Sequence, residues 1–365
     1  MSLKKIYLEI TDECNLNCIT CYRSNWTDTF FNMSTEIFEN FLKQIEDCPD
    51  LKTIVIGGIG EPLYFKNINN IIEKLKKYEI ILTTNGTILD EKLLNTLTSY
   101  VNKIVFSIDG VNDTFEKIRG FELDEVIKNI NLINKNKTKS LKLAVQFVLS
   151  KDNEKEIFKI IDLCSLLNIS ELIISNILPQ SKNDSEKILY TKHENKYLKN
   201  LFNKIRNYSF LKGLEIKLPN IEIKTERRCD FIENDALFID SLGNVVPCYR
   251  LSHNGKEYVF EREKDVLKHS FGNILEKSIK EIYDSKEYTI FKNTIFNNRY
   301  PSCIDCDLVD GCDMVKDTEV DCYYVKPSCG DCLWARNIVF CPWKELRTDE
   351  QNKNNSKTFC NIKRK

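Results

Sequence analysis

The chain has 365 residues, with 53 lysines and arginines against 54 aspartates and glutamates and a formal net charge of -1. That balance argues against nucleic acid as the main partner, because a phosphate backbone selects for an excess of positive charge. Mean hydropathy is -0.35 and no apolar run is long enough for a membrane helix, so an integral membrane protein is excluded.

The N-terminus runs from Lys4-Lys5 straight into a short alternating stretch without the apolar core of a signal peptide, so the expected location is the cytoplasm. Lys5–Ile10 reads as a first strand. Cys14, Cys18 and Cys21 follow it on one short segment. Strand-like runs recur at Thr53–Gly57, Ile80–Thr84, Lys103–Ile108, Lys142–Leu149 and Glu171–Ser175. Amphipathic stretches lie between them: Ser34–Asp47, Asn67–Lys77, Asp90–Thr98, Leu123–Asn134 and Asn153–Leu167. Ser34 is a good N-cap, with Glu36 in the first turn where the helix dipole favours an acid. Strands alternating with helices predict βαβ units and a parallel sheet. Ile54-Val55-Ile56 is apolar on both faces, as a helix-covered sheet requires. Periodicity leaves a doubly wound sheet and a partial barrel equally open.

After about Pro219 the pattern changes. Ala236–Asp240 and Asn244–Val246 flank Ser-Leu-Gly and predict a hairpin. One helix is expected over Leu275–Asn293, then a cysteine-rich tail with little periodicity. Such a tail needs staples. The expected division is a barrel-type domain over 1–222 and a small domain over 223–365.

The composition holds 15 cysteines, of which eight lie between Cys303 and Cys360. A disulfide scaffold belongs to small secreted chains, and this long chain has no export signal and an odd cysteine. Metal or cluster ligation is the better reading. The three histidines (His193, His253, His269) are not spaced with a cysteine pair, so all-thiolate sites remain: iron–sulfur clusters or four-cysteine zinc. Three thiolates on one tight loop hold three irons of a cubane and leave the fourth open to an external ligand, which marks a catalytic site rather than an electron carrier. A zinc loop lacking one ligand is the blander alternative.

The Cx₃Cx₂C segment after the first strand resembles that of the radical S-adenosylmethionine (radical SAM) enzymes. The resemblance implies a partial, six-stranded (βα)₆ TIM-like barrel. It also implies a SAM-binding 4Fe–4S cluster on Cys14, Cys18 and Cys21, whose open iron chelates SAM. Such enzymes cleave SAM reductively to methionine and a 5′-deoxyadenosyl radical that takes hydrogen from substrate. Gly57-Gly58-Ile59-Gly60-Glu61-Pro62 resembles the family's glycine-rich stretch, where backbone approaches the SAM amino group. Thr83-Thr84-Asn85-Gly86, Ser107-Ile108-Asp109-Gly110 and Arg119 match further strand-end positions. Gly58, Gly60, Glu61, Asn85, Ser107, Asp109 and Arg119 are thus expected to bind the cofactor. Gln146, Asn153, Asn176 and Pro179 match more weakly. Where relatives carry an aromatic residue before the third cysteine, this chain has Thr20, and the aromatic is Tyr22.

Cys229, Gly243, Cys248 and Cys303-x₂-Cys306-x₅-Cys312, with Phe271–Glu276, resemble the SPASM extension, which carries auxiliary 4Fe–4S clusters. The next cysteine of the usual pattern falls on Lys316. This chain has Cys322, Cys329, Cys332 and Cys341 instead, so nine cysteines compete for the eight positions of two cubanes. One or two auxiliary clusters are expected on them, with zinc ribbons as the alternative. Cys48 and Cys164 read as core, and Cys360 as free. Pro327–Arg336, ending at Cys341-Pro342, and Cys21–Trp26 resemble the tungsten cofactor oxidoreductase radical SAM maturases. That resemblance implies an anaerobe's maturase acting on a tungsten-dependent aldehyde oxidoreductase or its cofactor, fed by a ferredoxin- or flavodoxin-type donor. Modification of a ribosomal peptide or a sulfatase is the competing expectation, and an electron carrier or zinc scaffold a third.

Overall fold

The computed structural model describes residues 2–340. Six parallel strands follow one another in space as in sequence: β1 (Lys5–Leu8), β2 (Thr53–Ile56), β3 (Glu79–Thr84), β4 (Lys103–Ser107), β5 (Lys142–Leu149) and β6 (Glu171–Asn176). Helices α1 (Thr35–Ile45), α2 (Ile68–Lys74), α3 (Glu91–Tyr100), α4 (Asn112–Arg119), α5 (Leu123–Asn136) and α6 (Ile157–Leu166) return the chain between strands. The Ser34 hydroxyl accepts from the Ile37 N–H at the start of α1, and the Asp90 carboxylate from Leu93 at the start of α3. The left-handed Gly120 (φ +67°) closes α4.

The pleat sorts the strand residues into two faces. Ile6, Ile54, Leu82, Ile104, Val145 and Leu172 point outward into the large core under the helices. Tyr7, Val55, Ile81, Val105, Ala144 and Ile173, one from each strand, form an inner apolar layer. Two residues further along each strand the same face carries Glu9, Gly57, Thr83, Ser107, Gln146 and Ser175. The interior therefore passes from a dry floor to a polar ring at the C-terminal strand ends, where ligand sites of parallel sheets collect.

The sheet continues beyond these six strands. β7 (Glu215–Lys217) pairs in parallel with β6. On the other edge β8 (Ala236–Ile239) lies parallel to β1 and turns into antiparallel β9 (Asn244–Val246). The expected hairpin thus exists and extends the barrel sheet. A separate hairpin, β10 (Gly255–Val259) and β11 (Arg262–Val266), was not evident from periodicity, and β12 (Gly272–Asn273) closes against β9. The long helix Lys196–Leu211 also escaped the sequence reading. The single helix expected over Leu275–Asn293 is corrected to two, Ile279–Tyr283 and Lys286–Phe296. Ser278 forms a capping box with Glu281 and Ser285 caps the second helix, so each serine starts a new helix. Among its described residues the cysteine-rich tail carries only single turns, such as Cys303–Asp305 and Val309–Gly311. No helix of the described residues is long and apolar enough to cross a membrane.

Candidate active site and cysteine centres

The loop after β1 brings Cys14, Cys18 and Cys21 to the wall of one cavity of about 240 Å³ at the strand ends. The Leu16 N–H donates to Cys14 Sγ at 3.4 Å, and Asn85 Nδ2 stands 3.7 Å from the same sulfur. Cys18 Sγ lies 4.0 Å from the Arg119 carbonyl. Burial pushes the Cys18 thiol up to about 11 despite the nearby Arg119 guanidinium. Buried Arg23 clamps the loop from behind, its Nη1 donating to the Asp12 carbonyl (3.1 Å) and Nη2 to that of Leu16 (3.0 Å). Sequence reasoning gave Arg23 no such part, because its two acceptors are backbone groups. Thr20 and Tyr22 both reach the cavity wall.

All seven residues expected to bind the cofactor line this cavity. Gly58 and Gly60 also meet a packing demand. A Cβ on Gly58 would lie 2.2 Å from Glu9 Oε1, and one on Gly60 would lie 2.4 Å from the Thr11 carbonyl. Their bareness thus lets the β2 loop press on β1 and on the start of the cysteine loop, where Glu61 N–H donates to the Glu13 carbonyl at 2.8 Å. Glu61 is buried and turned toward β3. Its carboxylate accepts from Leu63 N–H (3.0 Å), Thr84 Oγ1 (2.8 Å) and Asn85 N–H (2.6 Å). Burial still raises its carboxyl to about 7. Glu61 therefore holds the ends of β2 and β3 together.

Ser107 contributes to the polar ring described above. Asp109 and Arg119 form an ion pair at 2.5 Å, and Asp109 Oδ1 also accepts from Val148 N–H at 2.8 Å. Arg119 Nε is buried with no hydrogen-bond partner. Gln146 and Asn176 reach the cavity too. Asn176 Nδ2 ties β6 to the tail through the Ile338 carbonyl (2.8 Å). Asn153 braces the Asp109 carbonyl from outside at 2.8 Å, and the Pro179 carbonyl accepts from Tyr258 N–H. Neither residue lines the cavity.

The donor set fits a three-cysteine cluster with SAM. Three thiols share one loop, an unpartnered guanidinium nitrogen is available to a carboxylate, and short polar side chains ring the floor.

The tail cysteines gather into two quartets. Cys229, Cys248, Cys329 and Cys332 lie within electrostatic reach of one another, and none is exposed. Burial pushes the Cys248 thiol to about 12, and those of Cys229 and Cys329 well above their ordinary value. The second quartet is Cys303, Cys306, Cys312 and Cys322, with Cys306 and Cys322 exposed. The quartets adjoin at Gly330, where a Cβ would lie 2.4 Å from Cys303 Sγ. Cys48 and Cys164 are buried in the core. Cys341 and Cys360 lie outside the described residues.

Residues 8–164 match the radical SAM superfamily, and residues 229–307 match SPASM, an iron–sulfur cluster-binding domain. The chain is 37% identical over 349 residues to the tungsten-containing aldehyde ferredoxin oxidoreductase cofactor-modifying protein of Pyrococcus furiosus, covering 93% of this chain and 97% of that protein. It is 29% identical over 167 residues to the GTP 3′,8-cyclase of Clostridium perfringens, covering 44% of this chain and 50% of that one. Streptococcus suis SuiB bound to S-adenosylmethionine shares the fold at a TM-score of 0.60 and 17% identity, over 86% of this chain and 73% of that one. Native anSMEcpe with bound AdoMet does so at 0.59 and 17%, over 98% and 99%.

Proposed function

The chain belongs to the radical SAM superfamily and carries a SPASM domain, and from that premise we propose that it matures a tungsten-dependent aldehyde oxidoreductase by modifying its cofactor. The observation that carries this reading is the 37% identity along 97% of the Pyrococcus cofactor-modifying protein. The radical SAM domain binds SAM and a 4Fe–4S cluster, and the SPASM domain binds auxiliary iron–sulfur clusters. In the proposed assignment Cys14, Cys18 and Cys21 hold the first cluster. Cys229, Cys248, Cys329 and Cys332 hold one auxiliary cluster, and Cys303, Cys306, Cys312 and Cys322 a second. Cys341 is then surplus to the eight ligands.

A cluster of this kind with SAM bound supplies a 5′-deoxyadenosyl radical that abstracts hydrogen from substrate. This chain's residues do the positioning. Asp109 fixes the Arg119 guanidinium and leaves its Nε unpartnered at the cavity, where it would hold the carboxylate of SAM. Thr83, Ser107, Gln146 and Ser175 offer short polar contacts above the apolar floor. Asn85 holds the thiol of Cys14 against Asn15. Trp334, Val339 and Phe340 from the tail line one side and keep water from it. The electron donor in this reading is of ferredoxin or flavodoxin type, and the location is the cytoplasm.

Deleting the gene should leave the partner oxidoreductase expressed but inactive. The Cys14→Ala protein should not restore it. Normal oxidoreductase activity in the deletion strain, with a mass change on a small precursor peptide in the wild type, would establish the peptide-modifying alternative instead.

A further inference from the structure

Among the described residues, two buried hydrogen-bond donors without an acceptor belong to side chains that line the same void. Arg250 is 2% exposed, and its Nε donates to both Glu257 carboxylate oxygens at 3.1 and 3.0 Å. Its Nη2 pairs with Glu257 as well and stands 3.8 Å from Asp331. Nη1 is buried with no hydrogen-bond partner. The indole Nε1 of Trp334 is in the same state. A buried donor left unpaired costs about 1–3 kcal/mol, so two at one place point to an acceptor there. Both side chains line one small void of about 30 Å³, together with Cys229, Cys248 and Cys332.

Charged groups pack around the void. Asp331 accepts from Arg262 (3.1 Å) and Lys264 (3.2 Å) as well as facing Arg250. Of these three bases Arg250 is the one that lines the void, where Asp230 also stands.

We propose that Arg250 Nη1 and Trp334 Nε1 donate hydrogen bonds to sulfur of the iron–sulfur cluster held by Cys229, Cys248, Cys329 and Cys332, and so raise its reduction potential. The inference rests on the reading of those four cysteines as ligands. Reduction adds a negative charge, and donors or cations next to the sulfurs stabilise the reduced form more than the oxidised one. Low dielectric around the void strengthens both effects. Trp334 and Tyr249 also line the SAM cavity, so the tuned cluster is the one that shares a wall with it.

The test uses full-length protein with Cys14, Cys18 and Cys21 all replaced by Ala, reconstituted with iron and sulfide. Its auxiliary clusters are titrated electrochemically and followed by electron paramagnetic resonance. Adding Trp334→Phe, which keeps the ring and removes the N–H, should make reduction about tenfold less favourable at a fixed potential, or 59 mV for one electron. Arg250→Gln should shift it in the same direction, with iron content unchanged. A purely structural role would lower iron content or stability and leave the midpoint where it was. An unmoved midpoint in Trp334→Phe, with iron intact, would overturn the proposal, and this variant decides alone should Arg250→Gln fail to fold. Cys229→Ala with Cys248→Ala in the same background checks the underlying reading: loss of about four irons supports it, and no loss removes both.

Discussion

Arg119 meets two demands at once: Asp109 fixes its guanidinium, while Nε stays buried and unpartnered beside the three-cysteine loop. A charge-assisted hydrogen bond is worth about 1.5–3 kcal/mol. Arg119→Gln should therefore raise the KM for SAM about 10- to 100-fold while iron bound at Cys14, Cys18 and Cys21 stays in place, as SAM-dependence curves and iron analysis will read. Gly60 presents the opposite case, a residue defined by lacking a side chain. Gly60→Ala would drive a methyl group into the Thr11 carbonyl and Asp12 Cα. It should cost about 1–3 kcal/mol in denaturant unfolding and lower cluster loading, because the displaced backbone leads directly into Cys14. Gly60 was expected at the site from its strand-end motif and Arg119 from its place nine residues beyond Gly110, and both line the cavity. What Gly58 and Gly60 approach was not legible, since Glu9 and Thr11 lie far off in sequence, just past β1, and only the folded sheet makes them neighbours. The role of Glu61 was hidden for the same reason, its partners being Thr84 and Asn85 at the next strand end.

The barrel strands end at their N-terminal side on a buried charge triad, Glu171 on β6 with Lys103 on β4 and Lys217 on β7. Burial alone would raise the Glu171 carboxyl, but the two lysines overcome it and hold it below its ordinary value. A carboxyl depressed in the folded state contributes stability that is complete above its unfolded value, about 4.3, and is lost as pH falls through the folded one. Glu171→Gln should lower stability at pH 7 by about 3 kcal/mol, because two buried lysines then face each other. It should also flatten the acid limb of stability against pH, as urea melts across that range will show. The strands were legible as short β-branched runs recurring between helical stretches, and their pleat sets the apolar floor and polar ring. The two helices at Ile279–Tyr283 and Lys286–Phe296 were read as one because their apolar periodicity nearly runs through. The signal that separates them is local, Ser278 and Ser285 as successive caps. Ser285→Ala should cost about 1 kcal/mol of stability.

At the scale of the whole molecule, barrel and tail share one sheet and one cavity wall. β8 pairs with β1, and Trp334 and Phe340 stand beside the strand-end residues. The tail's two quartets were not assignable from spacing, since nine cysteines compete and the partners of Cys229 and Cys248 lie at Cys329 and Cys332, beyond the intervening Cys303–Cys322. Reconstituted protein should hold about 12 irons with three cubanes, and about 8 after removal of Cys14, Cys18 and Cys21 together. Stoichiometric zinc with iron near four would establish the ribbon alternative for the tail. The yield of 5′-deoxyadenosine reads directly whether these three thiols and the surrounding strand ends make the SAM site. Anaerobic, reduced protein is incubated with SAM and the 5′-deoxyadenosine formed is quantified, for the native chain and for Cys18→Ala. Turnover is expected in the first and none above background in the second; full turnover by Cys18→Ala would overturn the assignment of the cluster to this loop.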